Sequence, residues 1–106
     1  MDQNQKDAKE WFLTLRNNLV SSLEKIEGKR FSFKNWDHAG SGGGTMGSLK
    51  GNIVEKGGVN ISTVSGTFSD EMRSRIPGTE QSADYWATGI SIVIHPFSPL
   101  IPSMHF

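Results

Sequence analysis

The sequence predicts an α+β fold in which helices flank an antiparallel sheet. Three observations predict it: a long amphipathic segment at the N-terminus, later runs rich in β-branched residues, and turn-forming residues between those runs. The length of 106 residues suits one small domain. We therefore expect residues 1–106 to form a single domain, with a helix over 1–28 and a sheet with a glycine-rich loop over 29–106.

The composition excludes several classes of function. Eleven basic and eleven acidic side chains cancel, so no net field attracts the chain to nucleic acid or to an anionic membrane. Cysteine is absent, which excludes disulfides, thiolate ligands and a cysteine nucleophile, and fits a reducing compartment. The N-terminus is polar, and no apolar run approaches the roughly 18 residues of a membrane span. We expect a cytoplasmic location and no membrane-spanning segment.

The first predicted element is a helix from Asp7 to Glu27. Its apolar residues recur at three- and four-residue steps, which places them on one helix face, and Gly28 provides a stop. We expect that face to pack on the sheet; it comprises Ala8, Trp11, Phe12, Leu15, Leu19, Leu23 and Ile26.

A strand and a glycine-rich segment follow. In RFSFKNW the aromatic residues alternate with polar ones up to Asp37, which is typical of a strand. The next segment, HAGSGGGTMG, contains five glycines and predicts a loop, because each glycine loses much backbone entropy on ordering. This loop is either a simple connection or a lid over a bulky ligand.

The β-branched runs SLKGNIVE and VNISTVSGTF predict a hairpin whose turn is EKGG. Glu55 and Lys56 then fall in a solvated turn with no chemical role. The charged segment SDEMRSRIPGTEQSADY predicts a connection that is partly helical. A further strand is predicted from Trp86 to Ile94, whose apolar ISIVI run is typical of the middle of a sheet.

The end of the chain contains three prolines, at positions 96, 99 and 102. Proline fixes φ and lacks an amide hydrogen, so this segment is neither helix nor central strand. We expect it to present His105 from a stiff, extended backbone.

The glycine pattern does not predict nucleotide binding. Gly42, Gly44 and Gly47 satisfy G-x-G-x-x-G, but a dinucleotide site needs an apolar strand before the glycines and a helix after them. Here a polar segment precedes and a β-rich one follows. A phosphate loop is excluded too, because Ser48 stands where its lysine belongs.

Four polar side chains are candidates for chemistry. His95 and His105, with His38 more distant, could serve acid–base chemistry or bind a divalent metal, although ten residues between two ligands is not a tight metal spacing. His95 alone is more often a hydrogen-bonded structural residue. No G-x-S-x-G elbow surrounds Ser91, so a hydrogen bond to substrate suits it better than a nucleophilic role.

Three segments together carry a family resemblance: GSGGGTMGSLKG, IVEKGGVNISTVSG and ATGISIVIHPFSPLIPSMHF. From about Trp36 to Phe106 the chain resembles the oxygen-dependent coproporphyrinogen oxidases. The resemblance is specific, because it combines a polyglycine segment, EKGGVN-x-S-x-V-S-G and ATG-x-S-x-V-x-HP-x-x-P-x-x-P-x-x-H in that order.

The resemblance implies an enzyme of haem biosynthesis. It would decarboxylate two propionates of coproporphyrinogen III oxidatively, giving protoporphyrinogen IX, carbon dioxide and hydrogen peroxide, with molecular oxygen as acceptor and no organic cofactor. Family members are typically homodimers built on a broad antiparallel sheet flanked by helices, of which this chain would supply an incomplete portion.

The resemblance also implies roles for individual residues. Ser91 matches a substrate-contacting serine, and His105 matches the histidine assigned as proton donor. His95 and His105 match positions sometimes assigned to a divalent metal, although the enzyme is usually described as cofactor-free. The family commonly carries an arginine near the glycine-rich segment, whereas no arginine lies between Arg30 and Arg73 here.

In the family an Asn-x-Arg motif follows shortly after the last histidine, whereas this sequence ends at Phe106. We therefore expect the chain to be the N-terminal part of a longer enzyme, truncated within its active-site motif and inactive alone. Two alternatives are a non-catalytic porphyrin-binding or interaction module, and a truncated chain that cannot bury its sheet and so aggregates or recruits partners.

Overall fold

A computed structural model describes residues 1–106 as one long helix packed on a five-stranded sheet. All strand pairs are antiparallel, and the strands lie in the sheet in chain order. The α+β prediction is confirmed. The elements are α1 (Gln3–Glu27), β1 (Ser32–Asp37), β2 (Ser41–Leu49), β3 (Val54–Thr67), the one-turn helix α2 (Asp70–Arg73), β4 (Asp84–Pro96) and β5 (Met104–His105).

Capping residues set both ends of α1. The Asp2 carboxylate accepts a hydrogen bond from the Gln5 backbone N–H at 2.8 Å, and the Gln5 side chain accepts one from the Asp2 N–H at 3.0 Å. This capping box starts the helix four residues before the first predicted residue, Asp7. Gly28 adopts the left-handed conformation, with φ 77°, and ends the helix as predicted.

The buried core lies where the C-terminal half of α1 crosses the sheet. Only part of the predicted helix face packs there: Leu19 and Leu23 contact the core, whereas Trp11 and Ile26 remain 59% and 58% exposed. The N-terminal half of α1 is separated from the sheet by an open gap of about 980 Å³, which Phe12 and Leu13 line. The core residues are Val20, Phe31, Leu49, Val54, Val59, Ile92 and Ile94.

The structure contradicts the predicted glycine-rich loop, because most of that segment is strand β2. Residues 41–49 pair with β3 on one side, and 43–48 pair with β1 on the other. These two ladders supply backbone hydrogen bonds that offset the entropy lost by the glycines. Aromatic side chains of β1 also cover them, Trp36 over Gly44 and Phe33 over Gly47. The segment is therefore not a lid.

The predicted EKGG turn is also wrong, because β3 runs through it with a bulge between Val54 and Lys56. The actual turn between β2 and β3 covers residues 50–53. The Glu27 carboxylate accepts hydrogen bonds there from the backbone N–H groups of Ile53 (2.9 Å), Val54 (2.8 Å) and Asn52. This contact spans about 26 residues of sequence, so local patterns do not reveal it.

The remaining elements agree with the sequence more closely. The connection after β3 is partly helical, as predicted, and the Ser69 side chain caps α2. Strand β4 contains the predicted 86–94 segment and ends at Pro96. His105, predicted on an isolated extended segment, instead belongs to β5, which pairs with β4. Neither helix combines the length and apolar character needed to cross a bilayer.

Glu27 makes the stability of the β2–β3 turn depend on pH. The Val54 N–H contributes most to lowering the pKa of Glu27 below its usual value; partial desolvation opposes it, and Ile53, Asn52 and Lys29 add to the lowering. Because its folded pKa is lowered, the Glu27 carboxylate contributes stability that is fully present above the unfolded pKa of about 4.3. That contribution is lost as pH falls through the folded pKa.

We expect Glu27→Gln to lower stability at pH 7 and to flatten the loss of stability as pH falls below the unfolded pKa of about 4.3. Urea unfolding of both proteins across that range measures it. Glu10→Gln, on an exposed part of the same helix, is the matched control. Parallel acid profiles for the native chain and Glu27→Gln would contradict this role.

Candidate functional site

The sheet has one face covered by α1 and one face turned away from it, which we call the open face. Side chains alternate between the two faces along each strand. On β4, Ile92 and Ile94 are buried on the helix side, whereas Ser91 and Val93 are exposed on the open face. The register therefore assigns every strand residue to one of the two faces.

Paired residues of neighbouring strands form lines across the open face, and we call each line a rung. One rung joins β1 to β4 through Lys34, Met46, Asn60 and Ser91. The next rung crosses all five strands through Ser32, Ser48, Gly58, Val93 and His105. A third pairs Lys56 with His95. Ser91, His95 and His105, which the sequence marked as candidates, therefore lie on the same face of the sheet.

His95 and His105 form a hydrogen-bonded pair at the edge of the open face. Their Nε2 atoms are 2.8 Å apart, their ring centroids are separated by 5.1 Å and their ring planes are inclined by 25°. These values place the two rings end to end, with one Nε2 donating its hydrogen to the other, and the donor is set by the tautomers of the two rings. Transfer of that hydrogen, coupled to proton uptake at Nδ1 of the donor ring, would pass a proton from one ring to the other.

The same two imidazoles are the side chains predicted to bind a divalent metal. Imidazole nitrogen is a common ligand for zinc and related ions, and an ion bound here would replace the hydrogen that the two Nε2 atoms share. A tetrahedral ion at the usual Zn–N length would hold its two ligand nitrogens about 3.3 Å apart, close to the present spacing. No group of three or more His, Cys, Asp or Glu side chains gathers in the chain, so these residues supply a partial ligand set.

Ser91 lies on the same strand as His95, two residues before Val93. Its Oγ accepts a weak hydrogen bond from Asn60 Nδ2 at 3.4 Å and is otherwise exposed. From the strand geometry, the Ser91 and His105 backbones lie about 8 Å apart. Ser91 contributes to a shallow hollow of about 400 Å³, whose other lining residues include Trp36, Met46, Ser62 and Gly89.

His38 does not join the other histidines. Its Nε2 hydrogen-bonds the Tyr85 hydroxyl at 2.7 Å, and the Tyr85 ring stacks on Phe68 at 4.4 Å. Tyr85 is the second residue of β4 and His95 is the last but one, so the two sites lie about 33 Å apart along the strand. His38 therefore stabilises the end of the sheet opposite to the His95 end.

Sequence reasoning missed two sets of open-face residues. Asn60, which contacts Ser91, was placed correctly in a strand but was not singled out. Lys34 is not among the sequence candidates, and Lys56 is predicted in a solvated turn with no chemical role. Alternation along correctly placed strands would have put all three on the face of Ser91.

An exposed serine and a hydrogen-bonded imidazole pair lie on one open sheet face, and side chains of these types are suited to hydrogen bonding and proton transfer. The sequence profile of the coproporphyrinogen III oxidase family matches residues 7–106. Since this match covers nearly the whole chain, the protein belongs to the coproporphyrinogen III oxidase family.

Individual relatives agree with this assignment. The chain is 47% identical to the oxygen-dependent coproporphyrinogen-III oxidase of Rickettsia felis, 46% to that of Rickettsia akari and 44% to that of Rickettsia bellii. Each comparison covers 98% of this chain and 41% of the relative. The chain thus spans about two-fifths of the length of these curated relatives.

Gly44 is an open-face position where a side chain would clash with its neighbours. A Cβ there would lie 2.7 Å from the Trp36 indole and against the Ile61 carbonyl oxygen. At Gly58, on the same face, the nearest atom would be 4.0 Å away. Neither glycine has positive φ, so packing alone distinguishes them.

We expect Gly44→Ala to destabilise the fold by about 1–3 kcal/mol through overpacking. The matched change Gly58→Ala should be neutral, or stabilising by up to about 1 kcal/mol, since it reduces unfolded-state entropy. Urea denaturation midpoints measure both. Equal midpoints for the two variants would contradict the packing of Trp36 over Gly44.

Proposed function

We propose that this chain contributes to the oxidative decarboxylation of coproporphyrinogen III to protoporphyrinogen IX by molecular oxygen. Family membership supports the reaction, and the Rickettsia relatives carry the name of this oxygen-dependent enzyme. The observation that carries the proposal is the common placement of Ser91, His95 and His105 on the open face of the sheet. Two of these residues lie on β4 and the third is held against it by β5.

The reaction needs an oriented propionate, a proton donor or acceptor near the pyrrole, and access for oxygen. In each of two steps the bond to the carboxylate carbon breaks and carbon dioxide leaves. The side chain loses two electrons and one proton as the vinyl group forms. Oxygen takes up those two electrons and two protons and becomes hydrogen peroxide. Overall, each step consumes one proton from the site or solvent.

The proposed roles follow from position and chemistry. The Ser91 hydroxyl, exposed beside Asn60, hydrogen-bonds the substrate and orients it over the hollow. His105 exchanges the proton, and His95 supports it by accepting or returning that proton through the hydrogen bond between the two rings. The macrocycle lies against this face, where Gly44, Ser48 and Gly58 give the two central strands small side chains.

A divalent metal is a further proposal for the same pair. His95 and His105 would hold it, and it would supply Lewis-acid polarisation of an oxygen ligand when bound. The roles of Ser91 and of the proton-exchanging imidazole do not depend on it. We also propose a cytoplasmic location, supported by the absence of cysteine, and homodimer formation, supported by the family resemblance.

The test replaces the matching segment of the Rickettsia felis relative with this chain and measures conversion of coproporphyrinogen III by fluorescence. We expect turnover by the chimaera, loss of about 100-fold or more in kcat for His105→Ala, and a weaker effect of Ser91→Ala, mainly in KM. Met104→Ala is the matched control, since it neighbours His105 on the same short strand with its side chain on the other face.

Absence of turnover in a folded chimaera, or equal loss in the Met104 and His105 variants, would contradict the proposal. Saturable porphyrin binding by a folded chimaera without any turnover would instead favour the alternative of a non-catalytic porphyrin-binding module.

A further inference from the structure

A second hollow lies on the open face beside the one that contains Ser91. It has a volume of about 400 Å³ and lies near the β2–β3 turn. Three lysines, Lys34, Lys50 and Lys56, line it, and the two hollows share Met46 and Asn60. The hollow therefore joins a cluster of cations to the candidate active site.

The three ammonium groups have no acidic partner. No aspartate or glutamate lines the hollow, and the only ion pair in the structure, between Arg75 and Glu71, lies elsewhere. All three lysines are exposed and free to reach a ligand. Because acids and bases balance over the whole chain, three unpaired cations at one place are a local excess that attracts anions.

The surroundings suit a carboxylate held by several donors. Ser32, Ser48 and Asn60 line the same hollow and offer hydroxyl and amide hydrogens. Gly58 lies on β3 two residues after Lys56, and even a Cβ there would meet only one atom, at 4.0 Å, so this part of the hollow is shallow. Ammonium and hydroxyl donors surround the shallow centre of the hollow. An anion that approaches from solvent can therefore accept hydrogen bonds from several of them.

The register fixes how the lysines lie relative to the reactive groups. Lys34 shares a rung with Ser91 three strands away, which is about 14 Å, whereas Lys56 pairs directly with His95. Carboxylates on different arms of one ring could therefore reach the lysines and Ser91 at the same time. A ligand with a single carboxylate could not reach both.

We propose that Lys34, Lys50 and Lys56 bind the propionates of the substrate that are not undergoing reaction, and so orient the reacting propionate toward Ser91 and His105. The identity of the ligand rests on the proposed function; the anion site rests on the hollow and its charges.

The test titrates the 106-residue chain with coproporphyrin III, the stable tetracarboxylate, and follows quenching of tryptophan fluorescence. We expect saturable binding that weakens about fivefold for each single lysine-to-alanine change and at least 30-fold for the triple variant Lys34→Ala/Lys50→Ala/Lys56→Ala. The matched control, Lys6→Ala/Lys9→Ala/Lys25→Ala, removes the same charge from α1 and should weaken binding less than twofold.

Two further measurements test whether the carboxylates of the ligand account for the effect of the lysines. The tetramethyl ester of the same porphyrin should bind equally to the native chain and the triple variant. Inorganic phosphate should compete for the tetracarboxylate only as strongly as chloride of equal ionic strength; stronger competition would overturn a carboxylate site in favour of a phosphate site. Circular dichroism checks that each variant is folded.

Equal weakening by the two triple variants would overturn the proposal, and so would the absence of saturable quenching by the native chain. Turnover by the chimaera, with KM unchanged in the lysine triple variant, would overturn the lysine site and leave the proposed reaction intact. Lysine-dependent binding without any turnover would retain the anion site and contradict the reaction.

Discussion

The antiparallel register between β3 and β4 is the constraint on which the rest of the structure depends. It is the longest pairing in the sheet, from Val54 opposite Pro96 to Thr67 opposite Asp84. Because side chains alternate with a period of two, a slip of one residue would move Ser91 to the helix side and Ile92 to solvent. Burial of Val59 and Ile92 against α1 makes that slip costly, since both are almost completely excluded from solvent.

The use of a single long helix has a direct functional consequence. The helix covers part of one sheet face, and only ten of the 106 residues are buried. The chain is elongated, with a radius of gyration of 16.9 Å against about 13 Å for a compact domain of this size. The open face therefore carries polar side chains that the helix does not cover, namely the serine, the imidazole pair and the lysines.

The sequence predicted those features that local patterns determine. The helix with its glycine stop and the ISIVI strand follow from periodicity, although the strand runs to Pro96, two residues past the predicted end at Ile94. The family resemblance identified Ser91, His95 and His105, and the structure places them on one face. The contact between His95 and His105 could not be derived from spacing, because the Pro-rich segment between them does not fix its own path.

The errors have a common physical cause, which is long-range contact overriding local preference. The glycines of β2 form a strand because neighbours on both sides supply hydrogen bonds and Trp36 and Phe33 cover them. The β2–β3 turn lies at residues 50–53 and not at EKGG because a helix carboxylate, Glu27, binds its amides. The sequence prediction ends the strand before EKGG and so places Lys56 in a solvated turn. The hollow lined by the three lysines therefore cannot be recognised from the sequence.

The shared face of Asn60 and Ser91 is tested most directly by disulfide trapping, since the chain has no cysteine of its own. Directly opposite residues in an antiparallel pair have Cα atoms about 4.5–5.5 Å apart, which suits a disulfide. Under mild oxidation Asn60→Cys/Ser91→Cys should form an intramolecular bond, whereas Asn60→Cys/Ile92→Cys, with side chains on opposite faces, should remain reduced. Efficient bonding in the second variant and none in the first would contradict the account.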